Sequence, residues 1–330
     1  MKKVLITYPD SIAGKLISKG FTAGFKSNGC YVLGKSLKDM TVDAIEKFKP
    51  DIVFGYDYGF LFSGQMDLID YLLESKRNIN LVHYFGDEPN SSYAFCSKNE
   101  LYDEFCRIVA ENEKVFTYIW DKSFLSQIPN SVHLPLAVNT KAYKAEESKS
   151  YDITFVGRPL TEKRQKILAA LVRKFGKKLS IFSYEKHFLQ SLDDMKEKQF
   201  LSDDELDIYK SAYCGFLTTE KELADIYFNS KVNLNMPIHG GSGMNYRVFE
   251  VLASGGFLLT ESAKELEKHF IVSKELETYS NIEDLLDKTE FYLKHSDIAQ
   301  KIALIGYADV YKRHNFTSRV RTILDDIKNK

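Results

Sequence analysis

The chain has 330 residues, 44% hydrophobic and 13% aromatic, enough apolar material for about two domains of ~150 residues each. Its formal charge of −1 excludes a general attraction to nucleic acid or to an anionic membrane surface. Cys30, Cys96, Cys106 and Cys214 are scattered without a Cys-x-x-Cys pair, which speaks against a zinc site or a disulfide framework and fits a reducing, cytoplasmic setting. No stretch approaches the ~18 apolar residues of a membrane span. The apolar run after Met1 is too short for a signal peptide.

Lys3 to Thr7 reads as a buried strand. Ile12, Leu16, Ile17, Phe21 and Phe25 recur at helical spacing, and Asn28-Gly29 stops that helix. Cys30 to Leu33 is a second strand, Val42 to Phe48 a short helix ended by Pro50, and Asp51 to Phe54 a third strand. A helix over Met66 to Leu73, a strand over Asn80 to Tyr84, a helix over Leu101 to Ala110 and strands over Lys114 to Ile119 and Val132 to Leu134 follow. Strands alternating with helices predict a parallel sheet covered on both faces. Residues 138–150 are polar and aperiodic and read as an interdomain linker.

The alternation then restarts. Asp152 to Val156 is a strand, Lys163 to Phe175 a helix, Leu179 to Phe182 a strand, Asp203 to Ser211 a helix and Cys214 to Leu217 a short strand. Ile282 to Leu293, Ile298 to Lys312 and Thr317 to Lys328 are amphipathic helices. Two such halves predict a cleft between the carboxyl ends of their strands.

Between these lies Lys231 to Glu261, read as strand, glycine loop, helix and strand. Gly240, Gly241 and Gly243 leave backbone amides uncovered ahead of a helix starting near Asn245, a combination suited to a phosphate or diphosphate. That helix is apolar nearly all round except for Arg247 and Glu250, three residues apart on one face. Two readings stand. The pair is an internal ion pair holding a buried helix, or an arginine for phosphate and a carboxylate for sugar hydroxyls.

Gly157-Arg158 sits at the first strand–helix turn of the second half, where an arginine can grip a diphosphate bidentately. Arg164, farther along, either supports the same anion or lies on a solvated helix face. Asp87 follows a strand's carboxyl end and could act as a general base on a hydroxyl, or be an ordinary turn aspartate before Pro89. His83 reads as a core histidine, whereas His239, before the glycine loop, is placed to touch a ligand. Gly29 to Ser36 matches the P-loop pattern by letter, but its middle is itself a strand, so it is rejected. No dinucleotide glycine fingerprint follows the first strand, and no Asp-x-Asp or metal-spaced His cluster occurs, so no metal is expected.

Phe155-Val-Gly-Arg158 with Arg164, Tyr227 to Asn235, and above all Asn245-Tyr-Arg-Val-Phe-Glu-Val-Leu-Ala-Ser-Gly-Gly to Glu261 resemble the CgeB-type (spore-maturation-protein-like) glycosyltransferases. Leu134 to Asn139 and Tyr311 to Arg319 add supporting similarity. The likeness covers the second half well and the first only in outline. It implies an α/β GT-B fold: two Rossmann-like doubly wound parallel-sheet domains facing a central cleft. These would be an acceptor domain over 1–143 and a nucleotide-sugar domain over 144–330, the last helix crossing back to the first domain.

By the same resemblance, Glu250 would bind the donor ribose. Arg158, Arg247 and the amides of Gly243, Met244 and Asn245 would hold the diphosphate, and Ser183 and Tyr184 would edge the base pocket. Related retaining families often carry a second Glu seven residues before the ribose carboxylate; that position is Gly243 here.

The expected activity is metal-independent sugar transfer from a nucleoside-diphosphate sugar (UDP, GDP or dTDP form open) to a glycan, lipid-linked or protein hydroxyl. The location is expected to be cytoplasmic, without nucleic-acid partner or membrane span. A bacterial glycan role is an expectation from the family. Alternatives are a nucleotide-sugar epimerase, a non-catalytic nucleotide-sugar-binding module and, third, an NAD oxidoreductase.

Overall fold

The computed structural model describes residues 1–9, 11–57, 66–75, 77–89, 99–238 and 241–330. A single cut at residue 143 does not divide the chain. One compact unit comprises Met1–Asn139, His239–Ser242 and Arg313–Lys330, and the other Thr140–Ile238 and Gly243–Lys312.

In the first unit, strands β1 (Lys3–Tyr8), β2 (Tyr31–Ser36), β3 (Ile52–Tyr56), β4 (Asn80–Phe85), β5 (Val115–Ile119) and β6 (Val132–His133) form a parallel sheet in the order β2-β1-β3-β4-β5-β6. β3 and β5 are buried along their whole length, as strands covered on both faces must be. Helices α1 (Ile12–Ser27), α2 (Val42–Phe48), α3 (Met66–Glu74) and α4 (Asn99–Glu111) connect them, and the last helix, α13 (Phe316–Asn329), packs on α1. Two glycines permit that close approach. A Cβ at Gly20 would meet the Phe316 ring at 2.1 Å, and one at Gly24 the Phe316 carbonyl oxygen at 2.6 Å. The rejected P-loop is indeed a helix stop and a strand: Gly29 takes φ +78°, and β2 runs through Gly34, Lys35 and Ser36.

The second unit has strands β7 (Tyr151–Val156), β8 (Leu179–Phe182), β9 (Ser230–Asn235), β10 (Leu258–Glu261) and β11 (Glu277–Tyr279), parallel in the order β11-β10-β9-β7-β8. Its helices are α5 (Glu162–Phe175), α6 (Glu185–Glu197), α7 (Asp203–Ser211), α8 (Glu220–Phe228), α9 (Tyr246–Ala253), α10 (Leu266–His269), α11 (Ile282–Lys294) and α12 (Ser296–Arg313). The chain leaves β7 on one side for β8 and returns on the other to β9. The order therefore reverses at β7 and β9, and open α/β sheets present a ligand crevice beyond the carboxyl ends of such strands.

Two sequence expectations change. The strand over Cys214 to Leu217 reduces to a bridge of Tyr213 to Ile181 and two hydrogen bonds with β8, because Gly215 at φ +99° breaks the extended run. The polar linker is fastened rather than loose. The Glu146 amide donates to Asp225 Oδ1 at 2.8 Å, the Ser148 amide to Asn229 Oδ1 at 2.9 Å, and Tyr311 donates to the Thr140 carbonyl at 2.7 Å. Tyr143, the one aromatic side chain in 138–150, is 2% exposed.

Candidate active site

In the second unit the carboxyl ends of β7 and β9 gather three arginines. Arg158 follows Gly157 just past β7 and is exposed. Thr161 caps α5 by accepting from the Arg164 amide, which puts Arg164 in the first turn. Its side chain turns inward, not onto a solvated face. Its Nε and Nη2 donate to the Met236 carbonyl at 2.9 and 2.5 Å, and Nη1 to the Arg158 carbonyl at 2.8 Å. Arg164 thereby ties the turn after β7 to the end of β9. Burial, followed by the charges of Arg247 and Arg158, lowers its pKa to about 10.

The third, Arg247, lies in the first turn of α9. Its Nη1 donates to Glu250 Oε2 at 3.1 Å and to the Tyr227 hydroxyl. Glu250, 4% exposed, is held on its other oxygen by the Tyr143 hydroxyl at 2.7 Å. Burial raises the Glu250 carboxyl, and Arg247 and Tyr143 act against that rise. The internal ion pair anticipated from the spacing is therefore present. It does not exhaust the carboxylate, whose oxygens each carry two lone pairs.

The amino end of α9 is unusual in its cap. Asn245 is the N-cap residue, but its side chain makes no capping bond. Its carboxamide pairs reciprocally with that of Asn235 at 3.0 Å in both directions, and Asn235 also donates to Thr260 Oγ1 at 2.9 Å. The cap side chain is thus diverted, and the first-turn amides keep their capacity to bind an anion.

Gly243 sits at φ +69°, and a Cβ there would lie 2.7 Å from that of Ala263, so no side chain, glutamate included, fits without displacement. Met244 is fully buried and can offer a ligand only its backbone. The Ser242 amide donates to Asp121 Oδ2 at 2.9 Å. His239 and Gly240 lie outside the described residues.

Beyond β8, Ser183 is buried, while Tyr184 is 39% exposed and stacks on Phe216, 37% exposed, with ring centroids 3.8 Å apart. His187 meets the edge of Tyr184 at 5.4 Å, and burial and then the Arg158 charge lower its pKa. Phe216 and Tyr143 were missed by sequence reasoning. An isolated aromatic in a polar tract was the available signal for Tyr143.

In the first unit, Asp87 is exposed after β4. Beside it lies Asp57, also unmarked in the sequence, which ends β3 at φ +47° and is 5% exposed. Asp57 Oδ1 accepts from the Gly86 amide and from the Asp87 amide at 3.0 Å. Burial, and next the Asp87 charge, raise the Asp57 carboxyl well above its ordinary value. His83 on β4 is fully buried, and burial lowers its pKa to about 3, as suits a neutral core histidine. Among the described residues no cluster of three or more His, Cys, Asp or Glu is placed to hold a metal, and no helix is long and apolar enough to cross a membrane.

A family model described as glycosyl transferase-like matches residues 164–325. HepE from Anabaena, solved with UDP and glucose, superposes with TM-score 0.69 at 8% identity, covering 100% of both chains. Sucrose-phosphate synthase from Thermosynechococcus elongatus gives TM-score 0.69 at 10% identity, covering 100% of this chain and 99% of that one. An alpha-glucosyltransferase solved with UDP and a 13-mer DNA gives 0.70 at 12%, covering 99% of each. No curated protein matches the chain. The fold is GT-B.

Proposed function

We propose that this chain moves a sugar from a nucleoside-diphosphate sugar to an acceptor hydroxyl, as a CgeB-type enzyme working in the cytoplasm. The observation that carries the reading is the set of Arg158, Arg164 and Arg247 at the reversal point of the second sheet, with the Glu250 carboxylate bonded to Arg247. Burying and crowding cations costs several kcal/mol unless an anion joins them. A diphosphate, beside the uncapped amides of α9, supplies that anion.

In this reading Arg158 and the amides of Tyr246 and Arg247 receive the phosphates, and Arg164 fixes the loop that carries Arg158. Glu250 accepts ribose hydroxyls, and Tyr184 with Phe216 offers a face to the base. UDP is the nucleotide to try first, since HepE and the alpha-glucosyltransferase both hold it. An acceptor oxygen attacks the anomeric carbon, its proton passes to Asp87, and the bond to the diphosphate breaks with its electrons going to the leaving oxygen. Guanidinium and amide donors stabilise the charge that develops there.

The test is release of UDP from a panel of UDP-sugars with added glycan, lipid-linked and protein acceptors, for wild type and Glu250→Ala. Loss of a charged hydrogen-bonding partner should lower kcat/KM ~100-fold. Interconversion of free UDP-sugars without release would favour an epimerase, and tight UDP binding without turnover a binding module. Absence of both binding and turnover for every nucleotide overturns the proposal.

A further inference from the structure

We infer that Tyr143 is a positioning residue for Glu250 and sets how strongly the site prefers a ribonucleotide over its 2′-deoxy counterpart. The inference rests on the donor-site reading above. Glu250 is anchored from two sides: Arg247 Nη1 on Oε2 at 3.1 Å and the Tyr143 hydroxyl on Oε1 at 2.7 Å. With one donor on each oxygen, rotation of the carboxylate plane is fixed, and the unused lone pairs keep a constant direction. A vicinal diol needs that constancy, because its two hydroxyls must reach their acceptors together.

Tyr143 can act as an anchor because it is itself held. Its side chain is 2% exposed. Its backbone is flanked by fastened points, the Thr140 carbonyl under Tyr311 and the Glu146 amide on Asp225 Oδ1, at 2.7 and 2.8 Å. Arg247, the other anchor, is braced by the Tyr227 hydroxyl. The Tyr143 hydroxyl also opposes the rise that burial imposes on the Glu250 carboxyl, with Arg247 acting in the same sense and Glu220 against it. Without the phenol, Glu250 would lose one anchor and lean towards its acid form, which offers one acceptor fewer.

The experiment titrates UDP and 2′-deoxy-UDP into wild type, Tyr143→Phe and Glu250→Gln by calorimetry, with melting temperatures measured in parallel. Phenylalanine fills the same volume, so the fold is expected to persist. One hydrogen bond to a charged group corresponds to about a tenfold effect. Wild type should prefer UDP, and Tyr143→Phe should lower that preference about tenfold, chiefly by weakening UDP. Glu250→Gln should lower it at least as far, which checks the ribose contact itself; should the phenylalanine variant not fold, Tyr143→Leu tests the same loss of the hydroxyl.

Equal weakening of both ligands by Tyr143→Phe would assign Tyr143 to packing alone and overturn the inference. So would an unchanged preference in Tyr143→Phe. If wild type binds neither nucleotide, or Glu250→Gln leaves the preference unchanged, the donor-site reading itself fails; if Glu250→Gln moves the preference and Tyr143→Phe does not, only the role of Tyr143 falls.

Discussion

Glu250 in the second unit and Asp57 in the first are both buried carboxylates, and their neighbours treat them in opposite ways. Glu250 faces a guanidinium and a phenol, which oppose without cancelling the rise that burial imposes on its pKa. Asp57 faces two backbone amides and a second carboxylate, and burial with that second charge drives its pKa up. The second unit therefore holds a buried carboxylate beside a cation, and the first a buried carboxyl beside a second carboxyl. Burial is the largest influence on both carboxyls and raises both; the nearest charge opposes that rise at Glu250 and adds to it at Asp57.

The sharpest way to break this contrast is Arg247→Met. It strands Glu250 without a cation and should cost about 3 kcal/mol in chemical denaturation. Adding Glu250→Gln to that variant should restore most of the loss, since the uncompensated charge is gone. If the single variant is as stable as wild type, the ion pair is not what permits the burial of Glu250.

The loop ahead of α9 offers an intermediate effect. Gly243→Ala forces a side chain into φ +69° against Ala263 and should cost about 2 kcal/mol, whereas Gly241→Ala, whose Cβ would sit 3.7 Å from Ser123, should be within about 0.5 kcal/mol of wild type. Equal melting temperatures for the two variants would refute the strain assigned to Gly243.

Asp57→Asn should act more weakly and with the opposite sign. Because the folded state raises the Asp57 pKa, the protonated form stabilises the fold fully below the ordinary carboxylate range, and that contribution is lost as pH rises through the raised value. Asparagine keeps the oxygen that accepts from Gly86 and Asp87 and cannot ionise. The variant should therefore gain stability relative to wild type as pH rises. Urea midpoints taken from about pH 5 to about pH 9 check the slope. Parallel curves would show that Asp57 does not hold a proton.

The fold was largely legible in the sequence because its parallel strands are short apolar runs between helical repeats. Ser202 with Glu205 and Thr219 with Glu222 form capping boxes. The second of these, unread in the sequence, would have located α8. Pattern could not supply the partner of a lone side chain. Arg164 has the look of an exposed helix arginine, yet it turns inward to two carbonyls contributed by Arg158 and Met236, one of them 72 residues away. Tyr143 sat in a polar tract with no periodicity, and its bond to Glu250 spans 107 residues. Asp57 was a residue after a strand, marked only by its unusual backbone and by Asp87. Long-range pairing of this kind leaves no trace in local spacing.

The account stands most directly on calorimetric binding of UDP and uridine to wild type and to Arg158→Met, since Arg158 is exposed and its removal leaves the fold intact. The account predicts that wild type binds UDP at least about 100-fold more tightly than uridine, and that Arg158→Met narrows the gap about tenfold with an unchanged melting temperature. Equal affinity for UDP and uridine, or a gap unaffected by Arg158→Met, would contradict it.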